Sequence, residues 1–353
     1  MIKKNYLLTA IIVMSLMVSS EGMALTASQV LDKYKESLNW TRSVSMRVDV
    51  NVDILEWPDA NIPRYYSRPQ FVYRQDGNNC EWIGKGLVFD ANWKLLDDSS
   101  LNIQDIFANG RYFTISPTQH GPNKIPRYAM ITRDSNPYYQ QRLGELSASS
   151  IFGGPLFGKM GGNSNYSIAD LLGSDTNLHL RPDTEPIRGN LCYVLEGITK
   201  YGRITAWISS DNAYNALKWS VEKGPNDLVN DKPAGTIVEK SIYEFDLVDF
   251  HEVNGIIVPK DAYLTTTGKL SFDGKTIARY TYQISQVSLK PDFKALGAFT
   301  PNVPEGTRVK LLEAPGVRYV WRNNKAVLDV NEATFEKIDK TIEQFKQQQD
   351  ANQ

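Results

Sequence analysis

Val44-Ser-Met-Arg-Val-Asp-Val-Asn-Val-Asp-Ile54 alternates apolar and polar residues at every step. In an extended chain Val44, Met46, Val48, Val50, Val52 and Ile54 fall on one side, and Ser45, Arg47, Asp49, Asn51 and Asp53 on the other. A helix would scatter the same residues around its axis, so the stretch reads as a strand with one buried and one wet face. That is the habit of antiparallel sheet, whose outer face can meet solvent.

Hairpins accumulate downstream of it. Phe71–Arg74 and Cys80–Ile83 flank a turn at Asp76-Gly77, and Leu191–Thr199 and Arg203–Ser209 flank one ending at Gly202. Ala216–Glu222 is a further alternating strand. Thr236–Phe250 and Ile256–Thr267 flank Asn254-Gly255, the strongest short-range hairpin signal. Asp273-Gly274 turns the chain into Lys275–Leu289, where Ala278, Tyr280, Tyr282 and Ile284 share a face. Long strands joined by short turns, without a βαβ rhythm, predict a mainly β fold built as an antiparallel meander.

Helical signals are few. Thr26-Ala-Ser-Gln29 reads as a capping box opening an amphipathic helix with Val30, Leu31, Tyr34 and Leu38 on one face. Residues 127–180 form a turn-rich, partly helical insertion containing Ile151–Gly162 (IFGGPLFGKMGG) and a short helix at Ser167–Leu172. Residues 331–353 carry a polar C-terminal helix over Asn331–Gln349, with a seam of Phe335, Ile338, Ile342 and Phe345 that docks on the body. Residues 1–24 read as a signal peptide: Lys3 and Lys4, an uncharged apolar run from Tyr6 to Val18, then small residues ending at Ala24. The run is too short for a membrane span, and no Cys follows it to carry a lipid anchor. The expected product, cleaved at Ala24 or alternatively Ser20, is a free protein outside the inner membrane.

Charge and motif content exclude several classes. The net charge is −1 and no basic block occurs, which argues against nucleic-acid binding. The three histidines (His120, His179, His251) lie far from one another and from the cysteines, so no zinc-site spacing exists. Cys80 and Cys192 are either one disulfide or two buried thiols, a choice that spacing does not make. Gly153-Gly-Pro-Leu-Phe-Gly158-Lys159-Met160 matches a phosphate-binding loop except at its end. Met160 replaces the Mg²⁺-binding hydroxyl, and neither strand nor helix flanks it. It reads instead as an apolar covering loop. No G-x-S-x-G or nucleophile–histidine arrangement appears. The abundant carboxylates read as solvated surface, although a glycosidase pair among them stays open.

Aromatic residues fall on strand interiors: Trp82, Trp93, Trp207, Trp219, Tyr280 and Tyr282. Singly they read as core. Together they suit the concave face of a strongly curved sheet, closed by helices around a ligand-sized cavity.

The C-terminal half carries specific text: Phe250-His-Glu-Val-Asn-Gly-Ile-Ile-Val-Pro-Lys260, Phe299-Thr-Pro-Asn-Val-Pro-Glu-Gly-Thr-Arg-Val309 and Tyr319-Val-Trp321. With the helix and alternating strand before it, this resembles the outer-membrane lipoprotein-sorting proteins, the superfamily of LolA- and LolB-like periplasmic carriers, in a larger version. The resemblance covers residues 26–55 and 190–325. It implies one domain over 25–330, an incomplete antiparallel barrel capped by helices, whose cavity takes the acyl chains of a lipoprotein or lipid without nucleophile, metal or cofactor. Arg47, on the polar face of its strand, points away from such a cavity.

The resulting expectation is a non-enzymatic periplasmic carrier. Val44, Met46, Val48, Val50, Val52, Ile54, Trp207, Trp219, Tyr280 and Tyr282 would line the cavity. Ile151, Phe152, Leu156, Phe157 and Met160 would form its lid. Two rivals remain: an envelope sensor binding a lipid-like ligand and a protein partner through the C-terminal helix, and an exported carbohydrate-active enzyme.

Overall fold

The computed structural model describes residues 25–56, 66–86, 88–89, 101–109, 111–116, 128–131, 154–159, 167–174, 177–229, 232–233, 238–270, 274–311 and 317–329. The expected signal peptide over 1–24, Trp93, the expected C-terminal helix over 331–349 and the expected lid residues Ile151, Phe152 and Met160 lie outside the described residues.

The N-terminal helix Ala27–Ser37 begins with the expected reciprocal cap. Thr26 Oγ1 accepts from the Gln29 N–H at 3.3 Å, and the Gln29 side chain accepts from the Thr26 N–H at 2.8 Å. A 3₁₀ turn, Leu38–Arg42, then hands the chain to the sheet. The first strands are β1 (Ser43–Glu56), β2 (Tyr66–Ser67), β3 (Gln70–Asp76), β4 (Asn79–Gly86), β5 (Val88–Phe89), β6 (Leu101–Ala108), β7 (Arg111–Ser116) and β8 (Tyr128–Ile131). A middle group follows the short helix Ile168–Gly173: β9 (His179–Leu180), β10 (Glu185–Ile187), β11 (Asn190–Thr199), β12 (Gly202–Ser209), β13 (Asn215–Lys223), β14 (Leu228–Val229) and β15 (Lys232–Pro233). Three long strands, β16 (Val238–Val253), β17 (Ile256–Leu270) and β18 (Lys275–Leu289), precede the short β19 (Arg308–Leu311), β20 (Tyr319–Arg322) and β21 (Lys325–Leu328).

β1 is the seam between two meanders. On one edge it pairs with β3, and the order continues through β4, β6, β7 and β8. On the other it pairs with β18, followed by β17, β16, β13, β12 and β11, with β9 and β10 on the far edge of β11. The β8 side is extended by β19, β20 and β21, where β8–β19 is parallel. No pairing among the described residues joins β21 to β9 or β10, so the sheet is open.

Flat, β4 and β11 would lie about 40 Å apart at the usual strand spacing. Yet Tyr73, Trp82, Val48, Tyr282, Phe245, Trp219, Ile204 and Leu195 share one continuous core. The sheet must therefore curl around it. Bulges supply local bend and twist, at Ser45/Arg47 and Ile54/Glu56 on the β1–β18 pair and at Leu247/Asp249 and Asp249/Phe250 on the β16–β17 pair. Turn chemistry fixes the register. Asn254 and Gly255 both hold positive φ (54° and 77°), the type I′ geometry that matches strand twist. A second core joins Ile106, Phe113, Ile115 and Ala129 to Val303, Val309, Leu311 and Trp321.

β1 obeys its pattern: Val44, Met46, Val48, Val50 and Val52 are buried, while Arg47 and Asp49 pair at 3.3 Å on the wet side. Residues 101–131 contain the strands β6, β7 and β8, which the sequence does not announce. Gln104 and Asp105, neighbours on opposite faces of β6, are both buried, and these polar residues break the apolar alternation. One expectation needs correction here, since not every carboxylate is solvated. Glu81 is fully buried, bonded to Arg74 at 2.8 Å, and Asp105 accepts from the Tyr112 hydroxyl at 3.0 Å. Of the two alternatives for Cys80 and Cys192, the structure shows free thiols, with Cys192 buried and Cys80 half-buried. Cys80 sits opposite Gln75 and Phe107, and Cys192 opposite Glu185 and Ser209, on strands that never pair.

Candidate apolar binding site

The concave face is closed by two pieces. The N-terminal helix presents Val30, Leu31 and Tyr34 inward, resting on β11, β13 and the short helix Ile168–Gly173. That short helix is itself capped by Ser167, whose Oγ accepts from the Asp170 N–H at 3.0 Å. The second piece is the 3₁₀ turn Gly154–Phe157, which packs on β17. Gly158, at φ +63°, reverses the chain after it, and the Lys159 N–H returns to the Gly154 carbonyl at 2.8 Å.

Between these pieces and the sheet lies an open recess of about 290 Å³. Tyr34, Leu38 and Trp40 line it from the N-terminal segment, Pro155, Leu156 and Gly158 from the 3₁₀ turn, and Asn215, Ala216, Trp219, Phe245, Leu247 and Pro259 from the sheet. The space within it that water can enter is about 20 Å³, room for a single water. Aromatic side chains pack around it. Trp40 and Tyr73 meet Phe157 at ring separations of 5.9 and 4.5 Å, Tyr73 meets Trp82 at 4.5 Å, and Trp219 stacks on Phe245 at 5.4 Å. Among the described residues, Leu156 and Phe157 of the covering turn are buried in the concave core.

The expected lining residues divide. Val44, Met46, Val48, Val50 and Val52, with Trp219 and Tyr282, are buried in the concave core, and Ile54 and Tyr280 pack against it from its margin. Registry explains the grouping: Val50 faces Tyr282, and Val52 faces Tyr280. Trp207 does not belong to this group. Ala206, its neighbour, pairs with Trp219 and points inward, which turns Trp207 to the outer face. There its indole N–H donates to Glu185 at 2.7 Å, and the Lys218 ammonium lies 5.2 Å from its ring. Of the expected lid, Leu156 and Phe157 are buried against the core. Sequence reading missed Trp40, Asn215, Phe245, Leu247 and Pro259. Phe245 and Leu247 alternate on β16, but a long strand with bulges does not announce which phase faces inward.

Burial governs the ionisable groups nearby. It raises the Tyr34 phenol far above its usual range, with Asp170 adding to the effect, and does the same to Tyr282. Lys223, at the end of β13, is pushed down to about 8 by burial, against the opposing pull of Asp227. Its ammonium donates to the Leu228 carbonyl at 2.9 Å and lies near the rings of Tyr201 and Tyr243. The recess has a mainly apolar wall, to which Tyr34 and Asn215 bring the polar side chains.

No protein-family model matches the sequence, and no curated protein matches it. Among solved structures, a LolA superfamily protein from Nitrosomonas europaea is similar at 14% identity, covering 76% of this chain and 95% of that one, with a TM-score of 0.38. A DUF1329 family protein from Desulfovibrio piger is similar at 10% identity over 76% of this chain and 95% of its own, also with a TM-score of 0.38. MucB, solved in complex with MucA, is similar at 9% identity over 75% of this chain and 99% of its own, with a TM-score of 0.21. No helix among the described residues is long and apolar enough to cross a membrane.

Proposed function

We propose that this protein is a periplasmic carrier that holds acyl chains of a lipoprotein or lipid inside its curved sheet. One observation supports the reading above others: a continuous apolar concave face is closed by a helix and a glycine-bounded turn, with a recess at their junction.

The energetics are those of exchange. Displacing Leu156 and Phe157 exposes apolar surface worth about 2–3 kcal/mol each. Every methylene of an incoming chain returns about 0.8 kcal/mol. A chain of ordinary length therefore replaces the cover with free energy to spare, and a receiving partner can reverse the exchange. The movement required is that of a short loop and helix, a familiar gating step. No covalent chemistry is needed.

Titration with a pyrene-labelled fatty acyl probe tests the reading. Saturable binding near one probe per chain is expected, weakened at least about tenfold by a Leu156→Asp substitution, because a carboxylate under the cover is costly to bury against a chain. An unsaturable, weak response equal in both proteins would sink it. Partner capture without lipid binding would favour the sensor reading, and glycan cleavage the enzymatic one.

A further inference from the structure

Lys223 ends β13 in phase with Trp219 and Val221, which lie in the concave core, and it is only 2% exposed. β13 therefore runs from the recess, at Asn215 and Ala216, to a buried ammonium at its other end. Among the described residues that ammonium has one hydrogen-bond acceptor, the Leu228 carbonyl at 2.9 Å, and no ion pair. Asp227 acts on it from a distance, while its carboxylate accepts from the Gly224 N–H at 2.6 Å. Tyr201 and Tyr243 present their rings at 5.8 and 5.9 Å, and Lys200, a like charge, lies 5.0 Å from the same Tyr201 ring.

Residues 224–229 fold back over this end of the sheet and are held by few bonds. The Leu228 N–H donates to the Lys200 carbonyl at 2.8 Å, and the Asp227 N–H to the Gly224 carbonyl at 3.2 Å. Leu228 itself packs, half-buried, against the concave core. One of the two bonds that pin its backbone thus comes from a charge that the closed turn keeps from water. A buried ammonium with a single neutral acceptor is costly, and either hydration or loss of the proton removes that cost. We infer that residues 224–229 are a gate at this end of the concave face, opening ahead of the strands beneath them, and that hydration of Lys223 drives the opening. Opening lifts Leu228 from the core. The neutral amine keeps the bond to Leu228 at little desolvation cost, so deprotonation favours the closed form. Burial lowers the closed-state pKa to about 8, against about 10.4 for a free lysine. Between these values closing releases a proton, and the gate is held more firmly as pH rises. Near pH 7 both forms are charged, and the gate is at its loosest. Such a gate does not depend on what the cargo is.

Amide hydrogen exchange of the whole protein, followed by NMR, tests this. The Leu228 N–H reports the gate, and the amides of Trp219 and Val221, on a strand paired on both sides, report the sheet. At pH 7, after allowance for intrinsic rates, Leu228 should exchange at least about tenfold faster than either, at a rate that dilute urea leaves unchanged. Its protection should rise about tenfold between pH 8 and 9.5. Lys223→Met should raise that protection about tenfold or more at pH 7 and abolish its dependence on pH. Exchange of Leu228 at the rate and with the urea dependence of the β13 amides overturns the gate. Local exchange with protection that stays flat across pH 8–9.5 in the unaltered protein overturns the part given to Lys223, and that measurement stands even if the variant does not fold.

Discussion

Gly158 shows how narrowly the cover is fitted. It holds φ +63°, and a Cβ there would lie 2.9 Å from the hydroxyl of Tyr34, a side chain only 1% exposed. Gly77, at φ +57°, has nothing within 4 Å of the same position. Both Gly→Ala changes incur the left-handed backbone cost of about 1–2 kcal/mol. Gly158→Ala should lose about 1–2 kcal/mol more in urea unfolding, through overpacking against Tyr34; equal losses would mean that the contact imposes nothing. Lys223 gives a pH signature. Burial lowers its folded pKa to about 8, while in the unfolded chain it titrates near the free-lysine value of about 10.4. Between these values the unfolded chain holds a proton that the folded one lacks, so stability rises with pH over that window. Below it both states are protonated, and the cost of the buried charge is constant. Lys223→Met should therefore be more stable than the parent at pH near 7, and should flatten the rise between about pH 8 and 9.5. A slope unchanged by the substitution would rule Lys223 out as its source.

Among the elements, β1 carries the greatest structural weight, because its two edges hold the two meanders together. Val48 lies opposite Phe71 on one side and Ile284 on the other, and is fully buried. Val48→Ala should cost about 2 kcal/mol in chemical denaturation, with the cavity term included. Asp49→Ala, one residue away on the wet face, removes only an exposed pair with Arg47 and should stay within about 0.5–1 kcal/mol. Similar losses at the two positions would contradict the assignment of faces. This element was legible in the sequence because period-2 alternation over its whole length has one physical reading. The Asn254-Gly255 turn and the caps at Thr26 and Ser167 were legible for the same reason, since each rests on local chemistry. β6 to β8 were not legible. Gln104 is buried there because it bonds across to the Thr300 carbonyl and the Asn302 N–H, partners far away in sequence. Trp207 was misplaced because an aromatic residue on a strand reads as inward, whereas its face is fixed by the register with β13 and the bulge beside it. The recess gathers residues from the helix, the turn, β13, β16 and β17, a juxtaposition that no local pattern encodes.

At the scale of the whole molecule, the pairing of β1 with β18 joins strands far apart in sequence, Val44 facing Leu289. Folding should accordingly be slow for the chain's size. The same pairing makes the concave face one surface rather than two, and that surface is what a carrier would use. Leu156 and Phe157 are buried on that face, so cargo that used it would take their place. The most direct measurement is mass spectrometry of solvent extracts from the protein purified out of the cell envelope. Acylated molecules near one per chain are expected, and their yield should fall when Leu156 is replaced by Asp. A well-folded protein that repeatedly releases no acylated molecule, and takes none up when offered it, would contradict the proposal.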